Sequence, residues 1–134
     1  MPHRRHLEHA HQKALINWAK LLTILVDDEV TTLAEYLFAV PNGGSRDKRE
    51  AARLKAEGVK AGVLDLHLPI QDDTGATLWI EMKAPKPHDA RVTPKQRDWI
   101  RKMRRLGHRA EVCYGWPEAR ELLLSHLTRA GCIE

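Results

Sequence analysis

Long apolar runs, a signal core and a cysteine framework are all missing from the 134-residue sequence. No stretch approaches the roughly 18 consecutive apolar residues that span a bilayer, so we expect no membrane contact. The N-terminus, MPHRRHLEHAHQ, lacks the apolar core of a secretory signal. The two cysteines, Cys113 and Cys132, fit neither a zinc spacing nor a disulfide framework, which favours buried thiols in a reducing compartment. We therefore expect a cytoplasmic, intracellular protein.

The composition is that of a globular protein with a basic bias. Hydrophobic residues make up 43% of the chain and charged residues 30%, and the length suits one domain over residues 1–134. The formal net charge is +4, which alone points weakly to nucleic acid. Nine basic and two acidic residues fall between Lys86 and Arg109, and a second basic cluster covers 46–60. Both clusters can be interpreted as solvated helix faces or as contacts to phosphates.

Apolar periodicity and turn residues predict an α/β fold. Helices are predicted over residues 7–25, 46–58, 93–107 and 116–131. Strands are predicted over residues 34–40, 62–69, 77–84 and 109–115. The third helix has the clearest start, because Thr93, Pro94 and Gln96 supply an N-cap, a first-turn proline and the third position of a capping box. This order predicts a single domain with a central mixed β-sheet flanked by helices.

Two opposite charges interrupt an apolar strand in the segment LWIEMKAPK. If this strand forms a hairpin with the preceding one through the turn QDDTGA, alternation puts Asp65, Glu81 and Lys83 on one face. Asp65 and Glu81 then oppose each other, which is destabilising for like charges without a cation. Lys83 is one candidate cation and a divalent metal is the other; the competing interpretation is a solvated face with a Lys–Glu ion pair. The opposite face is predicted to carry the apolar residues Leu64, Leu66, Leu68 and Ile70.

The motifs GVLDLHLP, IEMK, TPKQRDWI and LGHRAEVCYG occur in an order that resembles the VRR-NUC (virus-type replication-repair nuclease) family of the PD-(D/E)xK nuclease superfamily. The resemblance runs over nearly the whole chain and implies a restriction-endonuclease-like core. It implies that Asp65 and Glu81 bind Mg²⁺ or Mn²⁺. It also implies that the carbonyl of Met82 joins the metal shell and that Lys83 is the catalytic lysine of the motif. The usual proline before the aspartate is replaced by Leu64, which changes strand shape rather than chemistry.

The family also has a glutamate and a glutamine in its first helix and a glutamine in a later helix. The matching residues are Glu8, Gln12 and Gln96, and the resemblance implies that Glu8 completes the metal shell. Glu8 and Gln12 lie four residues apart and so on one side of a helix, where ordinary boundary residues would also lie. Gln96 is equally well explained by the capping box.

Basic residues and one glycine-containing loop are expected to contact DNA through its phosphates. The predicted contact residues are Asn42, Gly43, Gly44, Arg46, Arg49, Arg53, Lys95, Arg101 and Arg105. The loop PNGGS could equally be a plain turn. The N-terminal histidines match no zinc spacing and are expected in solvent or on phosphates; they are His3, His6, His9 and His11.

The resemblance implies a divalent-metal-dependent endonuclease that acts on branched or Holliday-junction DNA as a homodimer. A viral protein acting in its host would fit the same resemblance. Two alternatives stay open: a non-catalytic DNA-binding module of the same fold, and a flap-directed or RNA-directed nuclease. The intact Asp65, Glu81 and Lys83 argue against the first. Candidates for the dimer surface are the strand 34–40 and the last helix, with its apolar surplus of Leu122, Leu123, Leu124 and Leu127.

Overall fold

The computed structural model describes residues 4–41, 47–88 and 91–134. Along these residues the helices are α1 (Arg4–Ala19), α2 (Lys48–Ala56), α3 (Pro94–Arg105) and α4 (Trp116–Arg129). The strands are β1 (Thr23–Val26), β2 (Glu29–Thr32), β3 (Phe38–Ala39), β4 (Leu66–Leu68), β5 (Leu78–Lys83) and β6 (Arg109–Tyr114). Four of the predicted DNA contacts lie outside the described residues: Asn42, Gly43, Gly44 and Arg46.

A mixed four-stranded sheet forms the centre of the fold, in the order β3-β4-β5-β6. Both β3 and β5 run antiparallel to β4, and β6 runs parallel to β5 after the connection through α3. Leu66 pairs with Ile80 and Leu68 pairs with Leu78, which is the register that the QDDTGA turn predicts. The predicted mixed sheet flanked by helices is confirmed.

Helices cover both faces of this sheet. On one face α1 and α4 pack around a cluster that includes Leu66 and Ile80. On the other face α3 packs around a second cluster that contains Leu64, Ile100 and Ala110. The prediction that Leu64 shares a face with Leu66 is therefore wrong. The strand β4 begins only at Leu66, so the alternation of a strand does not extend back to Leu64.

The predicted first helix is too long. α1 ends at Ala19, and residues 23–32 form the β1–β2 hairpin instead. Asp27 and Asp28 occupy the hairpin turn with φ values of 50° and 67°, and positive φ at both central residues is typical of a type I′ turn. Leu25 fits helical spacing, but the segment TILV around it is rich in β-branched residues, which favour a strand.

The strand predicted over 34–40 is mostly a turn. Leu33–Glu35 forms a single 3₁₀ turn, and only Phe38–Ala39 pairs with β4. Leu33 and Leu37 are both buried. Their spacing of four residues is that of a helical turn rather than of a strand.

The short helix α2 lies on the surface. Its N-cap is Asp47, whose side chain accepts a hydrogen bond from the backbone amide of Glu50 at 2.7 Å. Of its residues only Leu54 is half-buried, and the others are exposed. None of the helices in the described part of the chain is both long and apolar enough to cross a membrane.

Candidate active site

Asp65, Glu81 and Lys83 meet on the sheet face that α3 covers. Glu81 and Lys83 alternate along β5 with Ile80 and Met82, whose side chains belong to the core on the opposite face. Asp65 is the residue directly before β4, and its side chain lies on this same face. The structure thus brings the three side chains together, as the hairpin register predicts.

Backbone contacts fix the position of Asp65. The amide of Met82 donates to Asp65 Oδ2 at 2.8 Å, and the amide of Val40 donates to the carbonyl of Asp65 at 2.8 Å. Gly62 has a φ of +87°, and a Cβ at this position would lie 2.6 Å from the backbone of Lys95. Glycine therefore lets the chain that leads to Asp65 pass directly beside the first turn of α3.

Glu81 is buried and only partly satisfied by hydrogen bonds, with 4% of its surface exposed. Its Oε2 accepts from Gln96 Nε2 at 3.0 Å and lies 3.4 Å from Lys83 Nζ. Its Oε1 is buried, and no donor reaches it from the described residues. A buried acceptor without a donor costs free energy, and a proton, a cation or a water molecule at this oxygen would offset that cost.

The surroundings of the two carboxyl groups favour one proton shared between them. Burial, followed by the charge of Asp65, raises the pKa of Glu81 to about 8. Burial also raises the pKa of Asp65, against the opposing hydrogen bond from Met82. The two side chains are hydrogen-bonded to each other when Glu81 carries the proton. A divalent cation can displace such a proton, because metal ligands must be deprotonated.

Gln96 links the start of α3 to the carboxylates. Thr93 Oγ1 accepts from the amide of Gln96 at 3.1 Å, and Gln96 Oε1 accepts from the amide of Thr93 at 2.9 Å. This reciprocal pair is the predicted capping box. The same Oε1 accepts from Lys83 Nζ at 3.2 Å, while Nε2 donates to Glu81. The capping role and the position in the site are therefore combined in one side-chain amide.

The rest of this sheet face is packed rather than solvated. Trp79 stacks on His67 with ring centroids 3.9 Å apart and meets Trp99 of α3 edge-on at 5.5 Å. Lys83 itself is only 6% exposed. The interpretation of a solvated ion pair is therefore wrong. His67 belongs to the aromatic stack, and its Nε2 lies 3.2 Å from Thr77 Oγ1.

The first helix approaches the site with His9. Burial dominates the pKa of Asp65 and raises it, and the charge of His9 acts in the opposite direction as the smallest influence, so the ring is within electrostatic reach of that carboxyl group. Glu8 and Gln12 are half-buried, and no hydrogen bond or ion pair in the described part of the chain joins either of them to the carboxylates. The metal-binding role of Glu8 and the site role of Gln12 stay predictions. His11 serves packing, because its Nδ1 accepts from the first amide of α4 at 2.9 Å.

The donor set fits a hard divalent cation that keeps part of its water shell. Two adjacent carboxylates, one with an acceptor that lacks a donor, suit Mg²⁺ or Mn²⁺. Across residues 4–41, 47–88 and 91–134 no group of three or more His, Cys, Asp or Glu side chains is placed to hold an ion. Among the described residues, Asp65 and Glu81 are the carboxylates of this site that could hold such an ion. The side chain of Met82 is part of the core, so only its carbonyl could contribute.

Comparison with known proteins assigns this arrangement to a family. The profile of the VRR-NUC domain matches residues 4–117. The chain belongs to the VRR-NUC family. A solved structure described as a VRR_NUC domain protein is 26% identical to this chain with a TM-score of 0.74, and the alignment covers 90% of this chain and 88% of that one. No curated protein matches the chain. VRR-NUC is a nuclease-type domain, which implies DNA as the partner of this chain.

The VRR-NUC domain exposes its predicted DNA-contacting side chains on two helices. Those that the structure describes are Lys95, Arg101 and Arg105 on α3, and Arg49 and Arg53 on α2. Arg101 pairs with Asp98, and Arg53 pairs with Glu57 at 3.4 Å. Exposed ion pairs of this kind contribute little stability. DNA phosphates can therefore replace Asp98 and Glu57 as the partners of these arginines at a small cost in free energy.

Sequence reasoning missed two residues that border the site. His9 was grouped with the other N-terminal histidines, although it precedes Gln12 by three residues and so lies on the same side of α1. Thr93 was predicted only as a helix cap. Its partner in the capping box is Gln96, which is also the glutamine that the family resemblance assigns to the site. This double role of Gln96 was the signal in the sequence that linked Thr93 to the site.

Proposed function

We propose that this VRR-NUC domain is a divalent-metal-dependent endonuclease that hydrolyses DNA phosphodiester bonds. The observation that carries the proposal is the half-buried Asp65 beside the buried Glu81, whose Oε1 keeps no donor among the described residues. If Lys83 served only to neutralise the pair, it would contact both carboxyl groups. Among the described residues, Lys83 forms an ion pair with Glu81 alone, at 3.4 Å. A raised pKa at two adjacent carboxyl groups of this kind favours a functional site over a structural one.

In this proposal the carboxylates of Asp65 and Glu81 hold a Mg²⁺ or Mn²⁺ ion, with Met82 contributing its carbonyl. Glu8 would complete the shell directly or through water. When bound, the ion activates water and relieves the negative charge of the phosphate. Both carboxylates must give up their shared proton to take this role.

Lys83 is proposed to stabilise the charge that develops on the phosphate during attack. Its ammonium group is oriented by Gln96 Oε1 at 3.2 Å and by Glu81 Oε2 at 3.4 Å. Because Gln96 also caps α3, the position of the ammonium group depends on a rigid helix start rather than on a flexible loop. Such preorganisation is what makes an electrostatic contribution effective.

We further propose that the substrate is branched, Holliday-type DNA and that the protein acts as a homodimer. Two symmetric nicks in a four-way junction require two sites related by a two-fold axis. The β1–β2 hairpin offers an apolar surface for such a dimer, because Leu25 and Val30 pair across it and are 44% and 77% exposed. Leu21, which is 84% exposed, precedes the hairpin. On the last helix Leu123 and Leu127 are fully buried in the core, which leaves that surface less apolar than the sequence predicts.

Cleavage assays test the catalytic proposal. A four-way junction, a flap, a linear duplex, single-stranded DNA and RNA are incubated with Mg²⁺, Mn²⁺ or EDTA. We expect metal-dependent cleavage, fastest on the junction, and none in EDTA. Asp65→Asn should remove cleavage while the fold and DNA binding persist, and Glu121→Gln, a remote exposed position, should cleave at the wild-type rate. Folded wild-type protein that binds DNA but cleaves no substrate with either metal would favour the non-catalytic module, and preference for the flap or RNA would favour the other alternative.

Light scattering tests the assembly. We expect a dimer for the wild type and a monomer for Val30→Lys, because a charge on the hairpin surface disfavours its burial. Val59→Lys is the matched control, since Val59 is also an exposed valine, at 41%, but lies outside the hairpin. A monomeric wild type that still nicks DNA would contradict symmetric resolution by a preformed dimer.

A further inference from the structure

A cavity of about 960 Å³ lies between α3 and the edge strand β6. Val112 and Tyr114 of β6 line it, and these residues are the register partners of Glu81 and Lys83. Neighbouring strands lie roughly 4.8 Å apart, and register partners present their side chains on the same face. The cavity therefore begins one strand away from the proposed catalytic groups and opens on the same side of the sheet.

The rim of this cavity is strongly positive. It is formed by Arg91, Arg97, Arg101, Arg104 and Arg105, and none of the described residues that line it is acidic. Arg104 is held by hydrogen bonds to the carbonyl of Ala110, at 3.1 and 2.8 Å, and Arg101 is paired with Asp98. Within the described residues Arg97 and Arg105 have no acidic partner, so their guanidinium groups are available to an anion.

The floor of the cavity is apolar and partly aromatic. It consists of Val92, Ile100, Val112 and the ring of Tyr114. Phosphate groups alone are bound by cations and backbone amides and gain nothing from an apolar floor. A nucleobase does gain from one, because it stacks on aromatic rings and buries its faces against apolar surface.

We propose that this cavity receives one unpaired nucleotide beside the scissile phosphate, with its base on the apolar floor against Tyr114 and its phosphate on the arginine rim. The inference deepens and rests on the proposed DNA endonuclease function. The volume of the cavity lies near the upper end of the roughly 300–1,000 Å³ typical of small-molecule pockets. This is far more space than a single phosphate needs. A branch point at which a base pair has opened would be held by this contact, in the proposed four-way junction as in a flap, whereas a continuous duplex would offer only its backbone.

An abasic scan tests the proposal with metal-free protein, so that it does not depend on cleavage. A fluorescent DNA with a duplex and a single-stranded arm is prepared with an abasic site at each successive arm position. Affinity is measured by anisotropy in EDTA for the wild type, Tyr114→Leu and Tyr114→Phe. We expect one position near the branch at which loss of the base weakens wild-type binding about five-fold or more. Tyr114→Phe, which keeps the ring, should retain this effect, and Tyr114→Leu should lose most of it.

A second measurement covers the case in which Tyr114→Leu does not fold. Wild-type protein is titrated with a deoxynucleoside monophosphate and with deoxyribose 5-phosphate, and amide chemical shifts are followed. We expect at least five-fold tighter binding of the nucleotide, with shifts at Val112 and Tyr114. Equal affinity for the two ligands, or an abasic scan without any sensitive position, would overturn the nucleotide pocket. A base-sensitive binding profile in a protein that never cleaves DNA would instead refute the proposed nuclease activity and leave the pocket standing.

Discussion

Replacing Glu81 by glutamine should change how the stability of the metal-free protein depends on pH. In the wild type the protonated carboxyl group of Glu81 is hydrogen-bonded to Asp65 and receives a hydrogen bond from Gln96. A glutamine side chain has the same shape and carries an amide that can donate where the proton of Glu81 donates. Glu81→Gln therefore resembles the protonated wild type at every pH.

The size of the effect follows from the pKa of Glu81, which is about 8 in the folded protein against an ordinary value of 4.5. Between these values the folded state holds a proton that the unfolded state has lost, so the free energy of unfolding falls as the pH rises. Each pH unit corresponds to about 1.4 kcal/mol, so the loss is roughly 4–5 kcal/mol in total. Below pH 4.5 and above pH 8 this contribution is constant.

Urea unfolding of wild type and Glu81→Gln in EDTA, from pH 4 to pH 9, measures the effect. The variant should become increasingly more stable than the wild type as the pH rises from 4.5 to 8, and the difference in unfolding free energy should level off above pH 8. Taking the difference removes the titrations that both proteins share. Glu121→Gln should give a flat difference, because Glu121 is exposed. A flat curve for Glu81→Gln would refute the shared proton, and would remove that support for the proposed cation.

Three further predictions concern the residues around the carboxylates and the basic helix. Lys83→Ala should lower the cleavage rate about 100-fold or more while DNA affinity changes little; equal losses would make Lys83 a phosphate-binding charge only. Thr93→Val should cost about 1 kcal/mol of stability and also lower the cleavage rate, because it breaks the capping box that holds Gln96. Thr93→Ser should keep both the stability and the rate. A less stable Thr93→Val variant with an unchanged cleavage rate would show that the cap does not affect catalysis. Replacing Arg101 and Arg105 by alanine should reduce the salt dependence of DNA binding by about two phosphate contacts, and an unchanged slope would count against DNA contact by α3.

The sheet face that carries Asp65, Glu81 and Lys83 could be predicted from the sequence because its causes are local. Alternation along β5 puts Glu81 and Lys83 on one side, and the short QDDTGA turn sets which residue of the preceding segment opposes them. The start of α3 was equally predictable, since Thr93 and Gln96 satisfy each other within one turn. These features depend on residues that are close in the chain or joined by a turn of known length.

The missed features depend on contacts between distant segments or on patterns with two solutions. Leu25 fits both a helix and a strand, and only the turn at Asp27 and Asp28 decides between them. The side chain of Leu64 lies on the sheet face opposite to that of Leu66, because β4 starts only after Leu64. The arginine cavity exists only once α3 and β6 are adjacent, so nothing in the spacing of Arg97 along the sequence points to Tyr114.

Because the amide of Gln96 both completes the cap of α3 and orients Lys83 and Glu81, the site cannot be assembled before the first turn of that helix has formed and docked. Local opening of this turn would release the lysine and the glutamate together while the sheet and the other helices stayed folded. Activity should therefore report the local stability of one helical turn rather than the global stability of the domain. Hydrogen exchange at the amides of Thr93 and Gln96, which are bonded in the capping box, would then track the fraction of molecules with an assembled site.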